Sequence, residues 1–442
     1  MNIINNKPIY QTYFGTKPIY TYIGNSTTGG FTDNSAYDGS IDIENLKKLN
    51  WNNEHISYFK NSTPHYALED DMYKVKQENL EIEPITSLTE VKTKYKNNEN
   101  LEFVPFVAEP VSGVNLFTGC KYIKAVPEIN LDGDNVYEMF RECENLITVP
   151  ELNTENVING SYMFRDCYNL ESVPMFDTSK MTTTRAMFYD CKKLNKLPLF
   201  DFSSSTDGAY MFKGCKSLRE VPFYNFSNLE STYSMFQQSG IVTIPEFDFS
   251  KVTTMYATFY QCYNLESVPE IKTSSVTNFQ QLFINCYALK NVALFDTSNA
   301  NSFVSMFSGC YSLKTIPQFN TSKARFVNYM FQDCVGLTDL PLLDFENVTQ
   351  INAFFGYYDI TSLIRVGGFK NLKIDWNDNT GLVKTPSINY DSIMNIINNL
   401  YDFRANGETT TKTIKFNSKS VSKLSDEDIA VATSKGWKIT SN

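Results

Sequence analysis

From Val111 onward the apolar positions of the chain keep a beat of 23 to 24 residues. A phenylalanine recurs at Phe117, Phe140, Phe164, Phe188, Phe212, Phe236, Phe259, Phe283, Phe307 and Phe331, and Phe355 continues the series. Three residues after nine of these stands a cysteine: Cys120, Cys143, Cys167, Cys191, Cys215, Cys262, Cys286, Cys310 and Cys334. The missed beat is filled by Ser239. Upstream of the phenylalanine, mostly apolar residues stand seven, four and one places back, as in Val276, Phe279 and Leu282 before Phe283. Intervals of three and four predict one buried face of a short helical or 3₁₀ segment. Downstream, Leu, Val and Phe lie on a tighter stretch interrupted by proline, which predicts short strands beginning or ending near Val-Pro.

The whole unit reads M-F-x-x-C-x-x-L-x-x-V-P-x-F-D-[TF]-S, as from Met163 to Ser179, and recurs about eleven times between Val111 and Trp376. A period of about 20 to 29 residues with fixed apolar places is the signature of a leucine-rich solenoid, in which each coil buries its apolar face only against its neighbours. The expected fold class is therefore α/β: a right-handed leucine-rich-repeat solenoid of about eleven coils with short strands and short helical or 3₁₀ segments. Its core ladder is expected to hold Phe164, Cys167, Phe188, Cys191, Phe212, Cys215, Phe283, Cys286, Phe307 and Cys310. The sixth unit, from Met235 to Pro245, is one residue short, and the last, from Phe354 to Ile360, is degenerate.

The flanks do not keep the beat. Lys7 to Gly15 and Lys17 to Gly24 form a duplication of alternating aromatic and β-branched residues, read as two short strands of a β-rich attachment segment over residues 1–30. Residues 31–110 read as a linker and mixed helical segment, with helices expected over Asp42 to Trp51 and Leu68 to Leu80. The solenoid takes residues 111–376. Residues 377–442 read as an α/β cap: a helix after Asn389, a strand from Thr411 to Phe416, a helix from Ser425 and a strand at Trp437.

Composition narrows the function. The chain has 442 residues and a net charge of −10, an average that argues against a phosphate-neutralising surface, so no nucleic-acid partner is expected. No run of about 18 apolar residues occurs, so no membrane insertion is expected. The opening residues lack the basic, apolar and small-residue order of a secretory signal. Metal sites cluster cysteines two to four residues apart, whereas these stand at least 23 apart, which fits small side chains facing a core. The column Asn153, Asp177, Asp201, Asn225, Asp248, Asp296, Asn320 and Asp344 fits turn capping better than a calcium ladder. The two histidines, His55 and His65, lie outside the repeats, and no nucleophile, zinc or phosphate-loop motif is present, so no catalytic residue and no cofactor is expected. One column stands out: Tyr168, Tyr263, Tyr287 and Tyr311 follow their cysteines directly, at one edge of the coils. An aromatic row there can stack on sugar rings, anchor a protein interface or shield the core edge.

The repeat unit resembles the BspA-like leucine-rich repeats of bacterial surface and host-contact proteins. The segment from Lys423 to Trp437 and the opening duplication are similar to terminal segments of phage tail-associated proteins. Surface members of the BspA-like family usually carry export signals, which this sequence lacks. The resemblance thus implies a non-enzymatic tail or fibre-like virion component, assembled in the host cytoplasm. It would present the solenoid to a host surface protein or glycan and be held to other virion subunits by its N-terminal segment. The alternatives are a BspA-like cell-surface adhesin and a glycan-cleaving enzyme, which would require convergent carboxylates in a pocket.

Overall fold

Turns, and not helices, carry the Met-Phe-x-x-Cys stretch of every coil. In the computed structural model, which describes residues 2–4, 7–14, 17–22, 111–126, 129 and 131–442, two residues per coil adopt a left-handed backbone. They stand two places before and two after the phenylalanine: Ala186 (φ 51°) and Asp190 (56°), Gln281 (61°) and Asn285 (58°), Tyr329 (60°) and Asp333 (58°). The expected short helical segments are thereby corrected. A left-handed residue costs roughly 1 to 2 kcal/mol in a right-handed helix, and two within five residues stop one from propagating. What replaces the helix is a ladder between coils. The N–H groups of Ala186, Phe188 and Asp190 donate to the carbonyls of Ala209, Met211 and Lys213 on the next coil, at 2.8, 3.0 and 2.7 Å. Gln281, Phe283 and Asn285 donate likewise to Val304, Met306 and Ser308. All of these donors point toward the C-terminal neighbour and all the acceptors toward the N-terminal one.

The described residues divide into two compact units, Met1–Val157 with Met163–Asp177, and Ile158–Tyr162 with Thr178–Asn442. The first contains an antiparallel sheet of Asn2–Ile4, Lys7–Phe14 and Lys17–Tyr22, in which Gln11 pairs with Tyr20 and Phe14 with Lys17. The duplicated segments thus form a hairpin. The first unit also contains coils in which Phe117, Phe140 and Phe164 stack at 5.3 and 5.4 Å. The helices expected over Asp42 to Trp51 and Leu68 to Leu80, and the linker, lie outside the described residues.

In the second unit Phe188, Phe212, Phe236, Phe259, Phe283, Phe307 and Phe331 form one column, with successive centroids 5.3 to 5.9 Å apart. All seven are fully buried, each burial stabilising by about 1.5 to 3 kcal/mol. The thiols form a second column and are hydrogen-bonded as well as packed. Cys215, Cys262, Cys286, Cys310 and Cys334 donate S–H to the carbonyls of Phe188, Phe236, Phe259, Phe283 and Phe307 on the preceding coil, at 3.0 to 3.1 Å. Burial raises the pKa of each of these thiols, that of Cys262 to about 12.

The variable place in D-[TF]-S also has a physical basis. Where it is threonine, the buried hydroxyl donates to the next coil: Thr273, Thr297 and Thr321 reach the carbonyls of Asp296, Asn320 and Asp344 at 2.7, 2.9 and 2.9 Å. Where it is phenylalanine, Phe202, Phe226 and Phe249 stack at 5.9 and 6.0 Å. Single parallel bridges from Asn159 through Thr183, Ser231 and Asn278 to Gln350 tie the coils on another side.

After the last coil, Ala353 donates to the Asp378 carboxylate at 3.0 Å, Phe355 to the Thr380 carbonyl at 3.2 Å and Ile360 to the Lys384 carbonyl at 2.7 Å. The helix Tyr390–Asn399 starts where the Asn389 side chain accepts the Ser392 N–H, and it buries Ile393, Ile396 and Ile397. The Ser392 hydroxyl in turn accepts the Val366 N–H at 2.8 Å. Lys412–Phe416 and Trp437–Ser441 pair in parallel, joined through the helices Ser418–Val421 and Asp426–Ser434.

Candidate functional site

The residue directly after the cysteine leaves the core because Phe and Cys take the inward directions and Leu, three places on, takes the next. Along the second unit this column reads Lys192, Lys216, Gly240, Tyr263, Tyr287, Tyr311 and Val335. Backbone register keeps it in line: Ser217 donates to the Lys192 carbonyl at 3.1 Å and Ala288 to that of Tyr263 at 3.3 Å. Tyr263, Tyr287 and Tyr311 are 43%, 38% and 47% exposed. Their centroids lie 5.0 and 4.8 Å apart, with ring planes 29° and 1° from parallel. Tyr168 lies in the first unit and is half-buried.

Parallel rings at these separations cover one another's faces. Tyr287 has a ring on each side, so the row turns ring edges and phenol oxygens outward. Stacking on a sugar is therefore closed to the middle ring. Burial raises the Tyr263 and Tyr311 hydroxyls, with the neighbouring Tyr287 adding to the effect. Protonated phenols in a row both donate and accept hydrogen bonds, and their rings lose little conformational freedom on binding.

The acidic column caps turns. Ser203, Ser250 and Ser298 donate their N–H groups to the side chains of Asp201, Asp248 and Asp296 at 2.9, 3.0 and 2.8 Å. The Lys272 ammonium, 2.7 Å from Asp248, holds that carboxyl down at about 2. Among the described residues no group of three His, Cys, Asp or Glu side chains is placed to hold a metal ion. No helix among them is long and apolar enough to cross a membrane.

The acidic average conceals a basic stretch that the sequence reading did not single out. Between Lys180 and Arg219 stand eight lysines and arginines against three aspartates, a net charge of +5. Lys213 lies over the rings of Tyr189 and Tyr210 at 5.1 and 5.4 Å, and Arg185 lies over Tyr210 at 5.1 Å. Lys193, Lys196, Lys216 and Arg219 are exposed. Counting charge coil by coil, instead of over the whole chain, would have found them.

The family described as "Mycoplasma protein of unknown function, DUF285" matches residues 134–244 and 253–362, together half the chain. No curated protein matches. Among solved structures, the chain is similar to a leucine rich cell surface protein from Faecalibacterium prausnitzii, at 19% identity over 66% of this chain and 84% of that one, TM-score 0.33. A leucine-rich repeat protein from Bacteroides ovatus is similar at 15% identity over 73% and 88%, TM-score 0.23. A third, from Eubacterium ventriosum, is similar at 17% identity over 55% and 80%, TM-score 0.27. At these scores none of the three bears on what this chain binds.

Proposed function

The chain belongs to the DUF285 family, whose description names no activity, and from the geometry above we propose that it is a non-enzymatic binding protein. Its ligand face is the edge of the coils that carries Tyr263, Tyr287 and Tyr311. The observation that carries this reading is the exposed, mutually stacked row: rigid amphipathic rings held in register by buried coils form a preorganised contact surface. In its finer form the protein is a tail or fibre-like phage virion component that presents this face to a host surface protein or glycan. The similarity of its terminal segments to phage tail-associated proteins supports that placement. The alternative carrier is a bacterial cell surface, with the chain as a BspA-like adhesin. Residues 377–442 act as the cap of about eleven coils, a role supported by the hydrogen bonds from the last coil to Asp378, Thr380 and Lys384.

Two experiments test this. Replacing Tyr287 and Tyr311 together by alanine should weaken attachment of the purified chain to host cells by at least tenfold and leave its melting temperature within a few degrees. Undiminished attachment would remove the row from the binding face. Deleting residues 1–30 should abolish incorporation into the parent particle while the coils keep their denaturation midpoint. Particles that still incorporate the truncated chain would refute the anchoring role of the N-terminal strands.

A further inference from the structure

Gly240 interrupts the edge column between Lys216 and Tyr263. The shortened sixth unit draws the backbone in, so that the Gly240 N–H donates to the Cys215 carbonyl at 3.0 Å. A β-carbon at Gly240 would stand 2.1 Å from the Lys216 carbonyl oxygen. No side chain fits there, so the column has a notch one side chain wide, with Gly240 buried at its floor and its carbonyl accepting from the Arg219 guanidinium at 3.5 Å. On its far side stands Tyr263, 43% exposed, whose ring is stacked on Tyr287. Among the described residues it is the one member of the triplet with no aromatic ring stacked on its side toward the basic coils. On its near side stands Lys216, followed by Arg219 and flanked on the preceding coil by Lys193 and Lys196. Among the described residues none of these four cations has a carboxylate within ion-pairing distance, although acidic residues outnumber basic ones in the whole chain.

We propose that this notch binds an anionic saccharide, with a sugar ring against the exposed Tyr263 and its carboxylate or sulfate toward Lys216, Lys193 and Arg219. Lys216 and Tyr263 are two coil spacings apart, on the order of 10 Å, which is room for one pyranose ring with its acidic substituent. The aromatic ring supplies the contact that a merely charged partner would not need, and cations without a carboxylate partner supply charge complementarity. Because the strip is cationic at one end and aromatic at the other, a bound chain has a fixed direction along the column. The proposal rests on the reading of the tyrosine edge as the ligand face and names the class of ligand it takes.

The test uses the full chain with four probes at 50 and 300 mM salt: hyaluronan fragments (carboxylated), heparin fragments (sulfated), neutral dextran and polyglutamate. Binding of at least one acidic saccharide is expected, with no response to dextran. Lys193→Glu with Lys216→Glu should weaken it tenfold or more. Tyr263→Ala should weaken it about five- to twentyfold, and Phe223→Ala, exposed on another face of the Lys216 coil, should change it less than twofold. A preference between hyaluronan and heparin identifies the acidic group. Three results overturn the proposal: no acidic saccharide binds at low salt, Tyr263→Ala binds like the parent, or polyglutamate competes as well as the saccharides. If any of these occurs while Tyr287 and Tyr311 are still required for cell attachment, the edge remains the ligand face and only the saccharide assignment fails.

Discussion

Raising the pH from 8 to 10 under reducing conditions is expected to remove on the order of 10 kcal/mol of stability from the second unit. The thiols of Cys215, Cys262, Cys286, Cys310 and Cys334 are buried and neutral, and burial raises their folded pKa values. In the unfolded chain a thiol ionises near pH 8.5. Below that value both states hold the proton and the contribution of the thiols is complete. Above it the unfolded state releases protons that the folded state keeps, so stability falls as pH rises toward the folded pKa. Each thiol contributes about 1.4 kcal/mol per pH unit, and five acting together contribute about 7. That loss over two pH units is comparable to the whole net stability of about 5 to 15 kcal/mol of an ordinary domain. Urea midpoints measured at pH 7, 8, 9 and 10 check the slope. The paired change Cys286→Ala and Cys310→Ala should lower the midpoint at pH 7 yet flatten the pH dependence by about two fifths. A midpoint that does not move between pH 8 and 10 would show that the thiols ionise in place, contrary to their burial.

The second large effect is expected at Phe307. Its ring is fully buried and lies 5.5 Å from those of Phe283 and Phe331 and 6.4 Å from that of Phe319. Truncation to alanine removes three ring contacts and leaves a cavity between coils whose spacing is fixed by hydrogen bonds on both sides. That cavity cannot collapse without breaking the ladder, so Phe307→Ala should cost roughly 3 to 5 kcal/mol. In a stack where each coil touches only its neighbours, the damage stays local. Hydrogen exchange should therefore rise at coils 283 to 331 before it rises at the helix Tyr390–Asn399. Melting like that of the parent would contradict the stacked column.

The repeat solenoid is legible in the sequence because identical side chains at constant intervals must occupy equivalent places on successive coils, and only stacking buries all of them. The turn geometry is less legible. Residues seven, four and one places before Phe283 mark the same inward direction whether the backbone is helical or alternates in hand, and spacing cannot tell the two apart. The better clue is the residue two places after the phenylalanine. Asp190, Asn285 and Asp333 tolerate a left-handed backbone, and Gly214 and Gly309 fill the same place. At the edge, the alignment of Tyr263, Tyr287 and Tyr311 could be read from their numbers. The direction of their faces could not, because it depends on how each ring tilts against the next. The basic coils were hidden by averaging: a net of −10 over the chain contains +5 within forty residues.

The ladder made by the N–H groups around each core phenylalanine bears on self-association. A coil with no coil after it would leave these turn donors free to pair with another molecule, and a head-to-tail contact of that kind closes on no symmetry axis. It would seed an open-ended polymer. In the second unit the donors of Ala353, Phe355 and Ile360 are already taken by Asp378, Thr380 and Lys384. The turn and the 3₁₀ segment Leu382–Lys384 that follow thus quench a surface on which another molecule could be templated.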